Sequence, residues 1–367
     1  MPPDQPRRRA RDLGLPFPGT PGPLNAITDV PGVSVGFTTL TDPAVGLRSG
    51  VTAILPRPAP ESPDQAPRPV AAGQFSLNGN GEMTGSHWVR DGGYFWGPVM
   101  ITNTHAVGAA HQGAVEWLLS AHAGWVAGRH VWAMPVVAET YDGVLNDITR
   151  LAVTPDHALA AIRAARPGPV AEGSTGGGNG MIAYGFKGGT GTASRRVGIG
   201  GAEYTMAALV QANHGTRPWL NVLGRPVGRL MPEGDPMASE NQGEQGSIIV
   251  ILASDAPLSP LSLTHLARRA GLGIGRGGTP GGNNSGDIFL AFSTADIGPM
   301  PQDAGPLITT TALNPEHLDP LYLAAVEAIE EAVINALVAG QDAIAVKPAG
   351  LRIPALDTAR LAALFAN

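Results

Sequence analysis

Apolar positions along this chain recur with two periods, and the change from one to the other marks out its elements. Within 109–123, Ala110, Ala114, Trp117, Leu118 and Ala121 return at helical spacing, which predicts a helix. A second helix is predicted over 155–165, with Thr154 as N-cap and Arg166-Pro167 as the stop. Shorter alternating or β-branched runs predict strands at 27–35 and 50–55 around a Pro-Gly turn, and at 99–103 and 130–138 on either side of the first helix. Three more, at 181–186, 191–199 and 202–210, are separated by glycines. The order then becomes strand 248–253, helix 260–270, strand 287–293 and a long helix 319–338. In that last helix Leu321, Ala325, Val326, Ile329, Val333 and Leu337 form a face, with Glu327, Glu330 and Glu331 as its polar back. Residues 1–24 are expected to be a loosely held arm, and the Pro-rich stretch 56–69 a surface loop. Long mixed strands with few helices, and no regular βαβ alternation, predict sheets sandwiched by helices.

The sharpest break in the pattern falls at Gly246-Ser247. Residues 231–245 (MPEGDPMASENQGEQ) are polar and acidic and lack Val, Ile and Leu, whereas 248–253 (IIVILA) is an unbroken apolar run of strand length. A serine at the seam of an exposed linker and a buried strand is where a self-processing hydrolase would expose a nucleophile. Cutting the bond before Ser247 would give one residue both a hydroxyl and a free α-amine, making it an amino-terminal nucleophile. The linker divides the sequence without having to divide domains, because the strand after it is too apolar to stand outside a shared core.

Composition narrows the picture. A chain of 367 residues, 43% hydrophobic, can bury a sizeable core as one large domain or two ordinary ones. Its 50 glycines and 34 prolines punctuate apolar segments instead of forming repeats, which points to tight turns and close backbone approaches. A net charge of −6 argues against general nucleic-acid binding, which needs a basic face. The basic cluster RRRAR at 7–11 reads as a solvated tail. With no cysteine, disulfides, thiolate catalysis and cysteine metal sites are excluded, and a reducing compartment fits. Residues 1–24 lack the apolar region of a signal peptide, and no run approaches the roughly 18 apolar residues of a membrane span. The default expectation is a soluble, cytoplasmic protein.

Several familiar signatures fail. GIGRGG at 273–278 has the dinucleotide spacing but follows a helix where that fingerprint needs a strand. Lys187 lacks the glycines of a phosphate-binding loop, and no serine sits in G-x-S-x-G. The nine histidines never take a ligand spacing such as H-x-x-x-H, so each is read as a core or surface residue. GGNNSGD at 281–287 is different. Ser285 and Asp287, at i and i+2 of an extended segment, point the same way and present a hydroxyl with a carboxylate at the entry to an apolar strand. The alternative is a turn whose side chains serve local backbone bonds. ETYD at 139–142 places Glu139 and Tyr141 at a strand end, as an anion for a substrate ammonium and a donor for an oxyanion, or as an ordinary hydrogen-bonded loop. Asn213, beside His214, offers an amide donor or a cap. The glycine clusters at 78–82, 173–178 and 188–191 suit either anion nests or close packing of backbones.

Together, ITDVPGV at 27–33, NGNGEMTG at 78–85, ETYD at 139–142, GGTGTAS at 188–194, Gly246-Ser247 and GGNNSGD at 281–287 resemble one family. It is that of the L-aminopeptidase/D-Ala-esterase-amidases and bacterial β-aminopeptidases, matched in the family's order over nearly the whole chain. The resemblance implies an αββα sandwich of the α+β class, forming a single catalytic unit without metal or cofactor. It implies a precursor that cuts itself before Ser247 into an α chain, 1–246, and a β chain, 247–367, usually assembled as a tetramer of such heterodimers. Ser247 would then be the nucleophile, and Ser285 and Asp287 its supporting hydroxyl and carboxylate, with Asp where some relatives carry Glu. Glu139 would hold the substrate amine, and Tyr141 and Asn213 would contribute to the oxyanion site. Gly246 agrees with the Gly or Asn that the family places before the scissile bond. Short peptides, amino-acid amides and esters are the implied substrates. The alternatives are an acyltransferase of the ornithine acetyltransferase-like group or a relative of the nylon-oligomer hydrolases, both of which use threonine, or an uncleaved binding protein on the same fold.

Overall fold

The computed structural model describes residues 8–236 and 246–366. Strands β1 (Ser34–Asp42), β2 (Leu47–Leu55) and β3 (Val70–Ser76) precede helix α1 (Ser86–Gly92). Next come β4 (Tyr94–Phe95), β5 (Val99–Asn103), α2 (Val107–Ala121), α3 (Ala123–Val126), β6 (Val136–Thr140) and α4 (Pro155–Arg163). The short strands β7 (Ile182–Ala183) and β8 (Phe186–Lys187) lead into a long hairpin, β9 (Gly189–Ile199) and β10 (Ala202–Asn213), followed by α5 (Val227–Leu230). The last third holds β11 (Ser247–Ser254), α6 (Pro260–Arg276), β12 (Gly286–Ser293), α7 (Asp319–Val338), β13 (Ala343–Val346), β14 (Ala349–Ile353) and α8 (Thr358–Phe365).

Two sheets carry the architecture, one ordered β1-β2-β5-β6 and the other β4-β3-β12-β11-β10-β9. The run 248–253 is apolar throughout because β11 lies centrally, between β10 and β12, with both faces covered. Ile248, Val250 and Leu252 face α6 and α7, while Ile249, Ile251 and Ala253 meet Ile54, Ile101, Val136 and Ala138 of the other sheet. On the outer face of the four-stranded sheet, Val51, Ala53, Met100 and Val137 pack on Ala110 and Ala114 of α2 and Ala158 and Ile162 of α4. The layers therefore run helix, sheet, sheet, helix: the αββα sandwich of the α+β class. Among the described residues no helix is long and apolar enough to cross a membrane.

Several local expectations change. Residues 27–35 are not one strand. The Asp29 carboxylate accepts from the N–H groups of Leu24 (2.9 Å) and Ala26 (3.1 Å), a 3-10 turn covers Ile27–Asp29, and Gly32 at φ 89° turns the chain before β1 begins. The strand expected at 130–138 is confined to β6, where pairing with β5 starts at Val136. The segment 181–186 splits into β7 and β8 around Tyr184, which adopts φ 51°. Strand β3 (VAAGQFS) was not expected, since small residues and Gly73 interrupt the alternation that marks a strand. Helix α6 continues through Arg276, so GIGRGG lies largely within a helix, and a Cβ on Gly273 would come 2.7 Å from Ile329 of α7. The glycines at 176–178 and 191 likewise serve close approach: a Cβ on Gly177 would meet Gln211 Oε1 at 2.3 Å, and one on Gly191 the Ala332 carbonyl at 2.0 Å.

The largest correction concerns the amino-terminal arm. Arg9 forks onto Glu172 at 2.8 and 3.0 Å, Arg11 forks onto Glu331 at 2.8 and 2.9 Å, and Ala10 is fully buried. From Arg9 onward the segment expected to be a solvated tail is clasped to the protein. The polar back expected on α7 is buried as well, with Arg11 of the arm and Arg195 of β9 on Glu331, Arg195 on Glu327 and the end of α6 beside Glu330. Glu331 also meets Arg195 at 2.7 Å, and Glu330 meets Arg276 at 3.2 Å.

Candidate active site

Ser247 is the residue at which the chain enters the six-stranded sheet. It stands level with Asn213 on antiparallel β10 and with Gly286 on parallel β12. Side chains alternate along a strand, so Ser247 shares the face of Ile249 and Ile251, toward the other sheet. Asn213 follows Leu209 and Gln211 onto that face, which puts its amide beside the Ser247 hydroxyl. Ser247 is 5% exposed.

The residue before it has little freedom. The Gly246 carbonyl accepts from the Gly286 N–H at 3.2 Å, which extends the β11–β12 ladder one peptide outward. A Cβ on Gly246 would lie 2.1 Å from the Asn213 carbonyl oxygen and 2.8 Å from the His214 Cα. Residues 237–245 of the acidic linker lie outside the described residues.

The Ser285 hydroxyl donates to Asp287 Oδ1 at 2.6 Å, and both side chains are fully buried. Asn78 clamps the carboxylate: its Nδ2 donates to Asp287 Oδ2 at 3.1 Å, and its Oδ1 accepts from the Asp287 N–H at 2.7 Å. Because Gly286 is the residue level with Ser247, Asp287 leaves β12 from the other face. The Ser285–Gly286 peptide therefore runs alongside the Gly246–Ser247 bond, which puts the pair next to the backbone of that bond.

Glu139 comes from β6 in the facing sheet. Its Oε1 accepts from the Glu82 N–H at 3.0 Å, and its Oε2 accepts from the Thr104 hydroxyl. Burial pushes the carboxyl pKa up, opposed by those two hydrogen bonds. The loop 78–82 joins this corner to the strand entrance, since a Cβ on Gly81 would lie 3.1 Å from Glu139 Oε1 and 3.5 Å from Gly286 Cα. Tyr141 contributes its backbone: its carbonyl accepts from Asn213 Nδ2 at 3.0 Å, while Asn213 Oδ1 accepts from the Ile182 N–H at 2.8 Å. The phenol lies across Gly143 and is 43% exposed.

The fold thus gathers Ser247, Asn213, Ser285, Asp287 and Glu139, with Tyr141 at the rim. Sequence reasoning missed Asn78, Thr104 and the Gly286 N–H. In the sequence Asn78 stands only as part of a glycine cluster, and its partner Asp287 is 209 residues away. Thr104 carries no motif, and a backbone N–H carries no signal in a sequence. Among the described residues no group of three or more His, Asp or Glu side chains could hold a metal ion.

Such a site suits attack by a hydroxyl on an acyl carbon, and it marks the protein as a hydrolase acting through a serine. The model of peptidase family S58 matches residues 25–348. The β-peptidyl aminopeptidase BapA of Sphingosinicella microcystinivorans is 48% identical over 375 residues, covering 97% of this chain and 91% of the relative. The solved L-aminopeptidase D-Ala-esterase/amidase of Ochrobactrum anthropi, a prototype for the serine aminopeptidases and a variant of the Ntn hydrolase fold, superposes with a TM-score of 0.91. It is 53% identical over 98% of each chain. A Burkholderia sp. β-aminopeptidase superposes with a TM-score of 0.85 at 45% identity, over 96% of this chain and 97% of that one. The chain belongs to peptidase family S58 and is a serine aminopeptidase of this Ntn hydrolase fold.

Proposed function

We propose that the chain cuts itself between Gly246 and Ser247 and then, through an acyl-enzyme on Ser247, releases amino-terminal residues from short peptides, amides and esters. The observation that carries this reading is the Gly246–Ser247 junction, where a glycine carbonyl is already hydrogen-bonded to the Gly286 N–H at the mouth of a buried strand. Ser247 Oγ attacks that carbonyl carbon, the C–N bond breaks, and the nitrogen leaves with a proton as the new α-amine. Water hydrolyses the resulting ester, freeing the Gly246 carboxylate and restoring the hydroxyl. In the mature enzyme the same hydroxyl attacks the substrate carbonyl. The α-amine, with an ordinary pKa of about 7.7–8.0, serves as base near neutral pH. Ser285 and Asp287 steady it from beside the backbone.

Asn213 uses one amide hydrogen on the Tyr141 carbonyl and has a second to give the oxyanion, with the Tyr141 hydroxyl closing over from the rim. Glu139 pairs with the substrate's ammonium, which makes the enzyme an aminopeptidase rather than an endopeptidase. The names of the relatives support L-α-, D-alanyl and β-amino acid derivatives as the substrate range. The family resemblance supports a tetramer of αβ heterodimers that needs no metal or cofactor, and the absence of cysteine fits a cytoplasmic setting.

The test is intact mass under denaturing conditions for wild type and Ser247→Ala, fresh from purification. Wild type is expected as two fragments meeting at Gly246/Ser247 and the variant as one full-length chain. A wild type that stays whole after long incubation would overturn self-processing and, with it, the role of Ser247.

A further inference from the structure

The backbone of loop 78–82 forms one wall of the site. A Cβ on Gly286 would meet the Asn80 carbonyl oxygen at 2.3 Å and Gly81 Cα at 3.2 Å, so the loop fills the place of a side chain on the residue level with Ser247. Asn80 Nδ2 pins it there by donating to the Asn284 carbonyl at 2.6 Å. Further on, the Glu82 N–H donates to Glu139 Oε1 at 3.0 Å. Gly81 lies midway along that short span. A Cβ on Gly81 would stand 3.1 Å from Glu139 Oε1, 3.4 Å from Ile288 Cδ1 and 3.5 Å from Gly286 Cα. Those three atoms bound the gap between the strand entrance of the nucleophile and the carboxylate, and Gly81 is exposed at its mouth. Neither Gly79 nor Gly81 adopts the left-handed backbone that favours glycine, so each can take an alanine without backbone strain. What separates them is space: a Cβ on Gly79 would meet nothing within 4 Å.

We propose that Gly81 is a specificity-determining residue: its missing side chain keeps the gap between Ser247 and Glu139 long enough for a β-aminoacyl group as well as an α-aminoacyl group. This rests on the reading of Ser247 as the nucleophile and Glu139 as the amine-binding group. A substrate held at both ends sets its carbonyl carbon at Ser247 Oγ and its ammonium at Glu139, so the atoms between them run past Gly81. A β-aminoacyl group carries one carbon more in that stretch and needs the room along the wall. A methyl on residue 81 would take that room. Glu139 Oε1 and Oε2 each already accept a hydrogen bond, from the Glu82 N–H and the Thr104 hydroxyl, so the ammonium uses the lone pairs left over. The methyl would crowd Oε1 directly. Ile288, which shares the face of Gly286 on β12, closes the gap from the core side.

The experiment is steady-state hydrolysis of β-alanine p-nitroanilide and D-alanine p-nitroanilide by self-processed wild type, Gly81→Ala and Gly79→Ala. In Gly81→Ala the ratio of kcat/KM for the β- over the α-anilide is expected to fall about tenfold, the scale on which a pocket senses one methylene. Gly79→Ala should keep the ratio within about twofold of wild type, as an exposed substitution without contacts does. If wild type cleaves the β-anilide alone, the same tenfold loss is read on that substrate. Should Gly81→Ala fail to fold, Ile288→Val carries the test: it removes Cδ1 from the far side of the gap and should raise the ratio severalfold. An unchanged ratio in the variant that folds, or an equal fall in Gly79→Ala, would overturn the proposal. So would a wild type that cleaves the D-alanine anilide and leaves the β-alanine anilide intact. A wild type that cleaves neither would instead strike at the function proposed above.

Discussion

The two sides of the site are built in different ways. On the nucleophile side, Gly246, Ser247, Asn213 and Gly286 are held by the backbone ladder of central strands, and only Ser285, Asp287 and Asn78 add side-chain bonds. On the amine side nothing is held by a ladder alone. Glu139 leaves the end of an edge strand and is fixed by a loop N–H and the hydroxyl of Thr104, whose turn is capped by Asn103, itself bonded to Ser49. The ladder side is rigid and sequence-local in its key residues. The other side is a desolvated network of carboxylates whose charge depends on pH. In the proposed function, self-processing would use an acyl group, Gly246, that has no free amine, and so would draw on the ladder side alone, whereas turnover would draw on both.

That contrast can be broken most forcefully at Asp287. Asp287→Asn is expected to lower kcat about 10²–10⁴-fold and to slow the disappearance of full-length chain as well, because both reactions use this side. Rapid processing in a variant with dead turnover would divide what the comparison joins. Glu139→Gln is the complementary change: processing should proceed as in wild type, while KM for an amine-bearing anilide rises about tenfold or more. Its pH dependence sharpens the point. Burial raises the pKa of Glu139, and that of Asp142 to about 6, so both take up protons on the acid side while an ordinary carboxylate stays charged. Protonation of Glu139 would remove the anion proposed to attract the ammonium, so kcat/KM should fall on the acid side at a pH above that of an ordinary carboxylate, while processing falls less steeply. Parallel acid limbs for the two reactions would count against the separation. The smallest effect is expected from Gly246→Ala, in which the new methyl meets the Asn213 carbonyl. Full-length chain should persist about ten times longer by mass, with kcat and KM of the eventually processed enzyme unchanged, since the residue then belongs to the departing end.

The layering of sheets and helices, the seam at Gly246-Ser247 and a common face for Ser285 and Asp287 were legible from short-range rules, although only the 2.6 Å hydrogen bond between that pair decided against a turn of purely local backbone bonds. Residues i and i+2 of a strand share a face, and an apolar run of strand length after a polar linker has to enter a core. The register that sets Asn213 and Gly286 level with Ser247 was decided only in three dimensions, since ladder pairing joins segments that no local period connects. The same holds for Asn78 on Asp287 and Thr104 on Glu139, where the partner of each polar atom is chosen by where the backbones meet. The amino-terminal arm and the glutamates of α7 teach this most plainly. A charge run and a polar helix stripe look solvated when read alone, yet the two meet at Arg11 and Glu331, while Arg195 and Arg276 pair with Glu327 and Glu330. Arg9 and Arg11 close over Glu172 and Glu331, and complementary charge decides the burial of both.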